Sequence, residues 1–301
     1  MNFPFISRRH LMLASAGVAA ARLASGQKLG AKLTASEVVD RIRANVGVPW
    51  RTQTVDKIIA GPLDTPVRGI ATTMMATLDV LKRSSDSGRN LVVTHETPFY
   101  LHQDDTSDLV GDATLRFKLD FIREHGMAVF HFHDHWHARK PDGIATGMMR
   151  ELGWTEHADP QDPRRFSFPG VPLQSLVEQM TTRLQIGTVR VVGDPRLSVW
   201  RAMASWGYVS RMPGIAQFRE SGLNLFIAGE TREWELVEYA QDSISKGDKK
   251  ALIVLGHVVS EQGGMKYCAD WLRSFIPEVP VEFIPASEPF WSPTGPRHSA
   301  I

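Results

Sequence analysis

Three apolar runs in this chain stop at histidine. Leu91-Val92-Val93-Thr94 leads into His95-Glu96, Met127-Ala128-Val129-Phe130 into His131, and Ala251-Leu252-Ile253-Val254-Leu255 into Gly256-His257. Unbroken apolar runs of this length read as strands buried on both faces, as parallel strands in α/β proteins are. In open α/β sheets, ligands bind beyond the carboxyl ends of the strands. Two of the three endings add a carboxylate: Glu96 beside His95, and Glu261 four residues after His257. A lone histidine at a strand end is usually just hydrogen-bonded. Three together point to a metal site, because neutral imidazole is the commonest protein metal ligand.

The middle run continues as His131-Phe132-His133-Asp134-His135-Trp136-His137, which holds four of the 11 histidines. Extended as a strand, it would put all four imidazoles on one face and Asp134 on the other. The bland alternative is a solvated histidine-rich loop.

The rest of the chain alternates in the same way. Periodicity predicts helices over residues 33–46, 74–84, 115–125, 143–152, 173–184 and 234–245, with a last helix running to 275. Strands are expected over 54–60, 67–72, 91–94, 127–133, 188–192, 223–228, 251–255 and 281–284. Strands alternating with helices imply an α/β fold of packed layers with mostly parallel sheets. Residues 159–172 carry four prolines and read as a linker between two similar halves, 33–160 and 170–290. Trp200 and Trp206 read as core.

The chain has 301 residues, 43% of them hydrophobic and 22% charged, enough for one large domain or two smaller ones. Residues 1–26 carry Arg8, Arg9 and Arg22 and no acid, with an alanine-rich apolar stretch and small residues at Ala24-Ser25-Gly26. They read as a signal peptide of the twin-arginine type, which predicts export to the periplasm or beyond. The mature domain would then be 27–301. Subtracting those three arginines from 34 basic residues leaves 31 against 33 acidic ones, so there is no basic field for nucleic acid. No run approaches the ~18–20 apolar residues of a membrane span. Cys268 is the only cysteine, which rules out an intramolecular disulfide, and its apolar setting suggests a core position.

These motifs resemble the dinuclear-metal family named for Ngg-interacting factor three, also labelled type 2 GTP cyclohydrolase I-like. The resemblance covers roughly residues 33–290. It rests on Gly88 followed by a strand and His95-Glu96-Thr97-Pro98, on His133-Asp134-His135-Trp136-His137, on Gly229-Glu230, and above all on Gly256-His257-x3-Glu261. It implies a three-layer α/β fold of two related halves and a homo-oligomer, a ring-like hexamer or a smaller assembly. Residue by residue, it implies metal ligation by His95, His257 and Glu261. Glu96 replaces the family's second histidine and His137 replaces its aspartate, which conserves the total ligand charge. His133 or His135 could substitute if His137 points away.

Two divalent ions with Glu96 and Glu261 as charged ligands leave a centre of about +2, suited to an anion. Mixed imidazole and carboxylate donors suit Zn, Mn or Fe. Glu261 and Glu230 are the candidate catalytic residues, Glu230 as a proton shuttle. The expected function is hydrolysis of a C–N or ester bond in a small molecule. An exported enzyme would meet little GTP, and neither a P-loop nor a dinucleotide fingerprint is present. The competing expectation is metal storage or delivery in the cell envelope, with His131 and His135 as spare imidazoles along a transfer path.

Overall fold

The computed structural model describes residues 33–291 and 293. The compact unit begins at Thr34. The expected signal peptide lies outside the described residues.

The first helix, α1 (Ala35–Asn45), starts with a capping box: Glu37 N–H donates to Thr34 Oγ1, and the Glu37 carboxylate accepts from Thr34 N–H. After it come β1 (Ile58–Ala60), β2 (Ile70–Met75), α2 (Leu78–Asp86), β3 (Leu91–Glu96), α3 (Ala113–Glu124) and β4 (Ala128–His131). These strands form one sheet in the order β1-β4-β3-β2, and a C-terminal strand, β10 (Val281–Phe283), closes it beside β2. β2, β3, β4 and β10 run parallel, while β1 is an antiparallel edge.

The histidine segment then forms a short helix, α4 (Asp134–Ala138), followed by α5 (Gly143–Leu152), β5 (Arg165–Pro172) and α6 (Leu173–Leu184). The second half adds β6 (Arg190–Val192), β7 (Ser198–Tyr208), α7 (Arg211–Phe218), β8 (Leu225–Glu230), α8 (Glu238–Ser245), β9 (Ala251–Val254) and α9 (His257–Arg273). Its sheet has the order β5-β7-β8-β9-β6, with β7, β8 and β9 parallel and the two edges antiparallel. Both sheets thus repeat one plan: a leading antiparallel edge strand, then three parallel strands in chain order.

Each sheet carries helices on both faces. Outside the first sheet, Val80 and Leu81 of α2 and Leu115 and Ile122 of α3 pack on Val92 and Val129. Outside the second, Phe218 of α7 and Ala240 of α8 pack on Phe226 and Leu252. Between the sheets lies α9, which touches β2 and β10 on one side and β7 and β8 on the other. It crosses α5 at glycines. A Cβ on Gly147 would stand 2.3 Å from the Gly263 carbonyl oxygen, and one on Gly264 would stand 2.5 Å from Ile144 Cα. The backbones can approach this closely only where side chains are absent.

Four expectations are corrected. Strand β4 stops at His131 and the chain turns into a helix, so the four imidazoles do not share a strand face. Residues 165–172 are a strand rather than a linker: β5 is an edge, and a bulge between Ser167 and Val171 accommodates Pro169-Gly170. Trp200 is exposed, while Trp206 is buried as expected. The helix expected at 234–245 opens with a π turn at Glu233–Val237. Among the described residues, no helix is long and apolar enough to cross a membrane.

Lys118 on α3 is buried and donates to the Pro98 carbonyl oxygen at 2.7 Å. Burial lowers its pKa to about 8 from the ordinary 10.5. A lowered lysine pKa penalises the folded state while the ammonium is charged. The penalty is complete below about pH 8 and is relieved as the pH rises toward 10.5. Stability of Lys118→Met relative to the parent is therefore expected to fall by about 3 kcal/mol between neutral pH and the unfolded pKa. Urea melts of both proteins across that range would show it, and a difference independent of pH would contradict it.

Candidate metal centre

Parallel register builds the centre from strand ends. Thr94 pairs with His131, so His95 emerges beside the segment that leaves β4. Ala228 pairs with Val254, which sets Glu230 beside His257 at the start of α9. Glu261 follows His257 by one helical turn and points the same way.

The turn after β4 is made by a residue far away in sequence. Asp56, 1% exposed, accepts backbone N–H groups from His133 at 2.7 Å, Asp134 at 2.8 Å and His135 at 2.9 Å. Three N–H groups converging on one carboxylate make an anion nest, and they close the first turn of α4. Helical spacing then brings His133 and His137 to one side, with ring centroids 4.8 Å apart.

Each imidazole at the centre is tied by one nitrogen and offers the other. His95 Nδ1–H donates to Phe132 O at 3.2 Å, His133 Nδ1–H to Asp134 at 3.1 Å, His137 Nδ1–H to Asp142 at 2.9 Å and His257 Nδ1–H to Glu230 at 3.0 Å. The oxygen partners only accept, so Nδ1 carries a proton and Nε2 is the nitrogen left to face the centre. These Nε2 atoms face Glu96 and Glu261. His95 lies 3.7 Å from Glu261, His137 3.6 Å from Glu261, and His133 3.8 Å from Glu96. His257 Nε2 lies 3.5 Å from Glu96 and 3.2 Å from Glu261.

Three donor groups result: His95 with His133 and His137; Glu96 with His102 and His133; and Glu96 with His257 and Glu261. Within each, the donor atoms lie within 4.8 Å of one another. The donors fit divalent cations on two counts. His95 Nε2 and Glu261 Oε2 are buried without a hydrogen-bond partner, which is costly unless something else occupies the space between them. Most of the separations are too long for hydrogen bonds, yet donors about 2.1 Å from one tetrahedral ion stand roughly 3.4 Å apart. Imidazole backed by a carboxylate or carbonyl is also the usual arrangement around a bound metal.

Without cations, the centre is held by its own charges. Burial alone would raise the Glu261 carboxyl, but His95, His137 and His257 outweigh it and hold it well below the usual range. Glu96 is likewise held low, with His102 and His257 overcoming burial. Burial would lower His137 and His257. Asp142 and Glu261 instead raise His137 to about 10, while Glu230, Glu261 and Glu96 raise His257 to about 12. Burial and the neighbouring His95 and His137 press His133 down to about 3. His137 and His257 are therefore protonated at neutral pH and must lose their protons to ligate. Cation uptake at neutral pH is expected to release about two protons per chain, and affinity should rise with pH. An indicator dye in weak buffer measures this directly, and uptake without proton release would contradict it.

All six sequence-predicted ligand positions, His95, Glu96, His133, His137, His257 and Glu261, meet here. His135 does not. Its Nδ1–H donates to Asp56 at 2.6 Å, its Nε2 accepts from Arg51 N–H at 2.9 Å, and its ring stacks 3.8 Å from Trp50. His131 is buried against Asp104, its Nδ1–H donating at 2.8 Å. Glu230 stands behind His257 rather than among the donors. Sequence reading missed His102, Asp56 and Asp142. Asp142 alone left a trace, as an N-cap before α5, where it accepts from Ala145 N–H at 2.9 Å.

A family model described as Duf34/NIF3 (NGG1p interacting factor 3) matches residues 37–289. The chain belongs to this family. Several solved structures share its fold. The Staphylococcus aureus hypothetical protein SA1388 superposes with a TM-score of 0.69 at 15% identity, covering 86% of this chain and 99% of that one. Protein ybgI, of unknown function, gives 0.68 at 20% identity over 85% and 100% of the two chains. TTHA1606 from Thermus thermophilus gives 0.62 at 17% identity over 85% and 100%. At these identities the likeness is one of fold. A search of the curated proteins returns no match.

Proposed function

We propose that this protein is an exported hydrolase that uses two divalent cations, Zn, Mn or Fe, against a C–N or ester bond of a small molecule. The carrying observation is the set of four Nδ1-anchored imidazoles whose Nε2 atoms converge on Glu96 and Glu261. His95, His133 and His137 would hold one cation, and Glu96, His257 and Glu261 the other. When bound, such ions polarise the scissile bond and make water nucleophilic near neutral pH. Two carboxylates against two divalent charges leave the centre positive, which favours an anionic substrate or developing negative charge.

Asp134, Asp142 and Glu230 would fix the tautomers of His133, His137 and His257. The His257 imidazole keeps the Glu230 carboxyl below its usual range, against burial, so Glu230 serves better as a holding group than as a proton shuttle. The N-terminal 26 residues would direct export, and assembly into a homo-oligomer follows the family resemblance. Metal storage or delivery is the second reading. The shared donors favour it, because Glu96 and His133 each belong to two groups.

Metal content per chain, measured beside turnover of small amide, amidine and ester substrates, tests the proposal. Near two ions with turnover lost in His257→Ala would support the hydrolase. Two ions with no turnover on any class would leave delivery standing, and no ions would overturn both.

A further inference from the structure

We infer that Glu96, His102 and His133 form a loading position, through which cations pass from solvent to the buried donors. This rests on the reading that the centre holds divalent cations. It concerns His102, a residue the family motifs do not include.

His102 is the most exposed of the donors, with 38% of its side chain open to solvent against 29% for His137, 22% for His133 and His257 and 12% for Glu96, while His95 is 0% and Glu261 2%. The outer group thus offers an arriving cation the donor that reaches furthest into solvent. His102 Nδ1 lies 3.3 Å from Glu96 Oε2, and the His102 and His133 rings meet edge to face at 4.6 Å. His133 is the pivot. Its Nδ1 is committed to Asp134, so it has one lone pair, yet it belongs to both the outer group and the group of His95 and His137. It can serve one cation at a time. A cation held outside by His102, Glu96 and His133 moves inward by keeping His133 and exchanging His102 and Glu96 for His95 and His137.

The loop carrying His102 is fastened rather than loose. Asp104, two residues on, accepts from buried His131 Nδ1–H, and Lys118 Nζ donates to Pro98 O on the other side. Tyr100 and Asp104 hold positive φ angles of 72° and 60°, a conformation that persists only where surrounding contacts hold it. The His131 pair explains itself here as an anchor for the loop.

The full chain, stripped by chelator, would be mixed rapidly with Co(II) and followed by visible absorbance; release would be followed on adding excess chelator. His102→Ala is expected to slow uptake and release by the same factor, about tenfold, leaving Kd nearly unchanged. Asp104→Ala keeps the donor but frees the loop, and should slow uptake by a smaller factor. The distant His125→Ala should match the parent. Uptake by His102→Ala at the parent rate would overturn the loading role. Faster release with unchanged uptake would also overturn it, making His102 a resident ligand. If the parent itself binds no Co(II), both the loading role and the cation reading fall together.

Discussion

Glu261→Gln is expected to empty the centre of cations and to destabilise the cation-free fold by about 3–5 kcal/mol. Glu261 is 2% exposed and faces the Nε2 atoms of His95, His137 and His257. Its charge compensates the two imidazolium groups when no cation is present, and supplies the anionic donor when one is. The amide keeps the shape and loses both functions. Nor can the side chain move away. A Cβ on Gly207 would already stand 2.5 Å from Glu261 Oε1, and Gly207 holds a φ of +71° that few other residues adopt. The stability loss should depend on pH. Because the folded carboxyl is depressed, its contribution is present above its ordinary value of 4.5 and disappears as the pH falls through the folded value. Parent and variant should therefore converge in strong acid. Metal content after gel filtration, with urea melts of stripped protein, tests both parts. Glu230→Gln, which loosens only the tautomer of His257, should weaken binding by about 10- to 100-fold. A Glu261→Gln protein that retains its ions through gel filtration would sink the assignment of this carboxylate.

Much of this centre was legible because buried parallel strands have a simple signature. β9 is apolar from end to end and β3 is apolar as far as Val93, and the donors stand at or just beyond the ends of these runs. Helix α9 was equally visible, since His257 and Glu261 are spaced by one turn. What was not legible depends on distant partners. His131 to His137 alternates with period 2, and nothing local contradicts a strand; the contradiction comes from Asp56, about 80 residues earlier in the chain. His102 lies in a polar loop with no periodicity, and its place is set by the Asp104–His131 pair. Strand β5 was hidden by prolines, which an edge strand with a bulge tolerates and a central strand would not. Trp200 looked like core but packs over Gly170, where a Cβ would stand 2.7 Å from its ring.

Asp56→Ala is expected to destabilise the protein by about 4 kcal/mol and to weaken cation binding, although Asp56 is not itself a donor of the centre. The substitution leaves three backbone N–H groups and the His135 Nδ1–H without their acceptor, in a place water does not reach. Each stranded donor costs about 1–3 kcal/mol, reduced by whatever relaxation lets in solvent. Relaxation is the damaging part. The first turn of α4 orients both His133 and His137, so a chain that swings out to hydrate its N–H groups carries two imidazoles off the centre together. His135→Phe separates the contributions. It removes the imidazole's share of the Asp56 bonding and the Nε2 acceptor of Arg51 N–H but keeps a ring against Trp50 and all three backbone bonds to Asp56, so it should cost less stability and leave the cations in place. Asp56→Asn preserves one acceptor oxygen but turns an amide N–H toward groups that also donate, and should fall between the two. Denaturant melts with unchanged m-values, beside Co(II) titrations, distinguish these cases. If Asp56→Ala binds Co(II) as tightly as the parent, the turn that sets His133 and His137 is held by something other than this carboxylate.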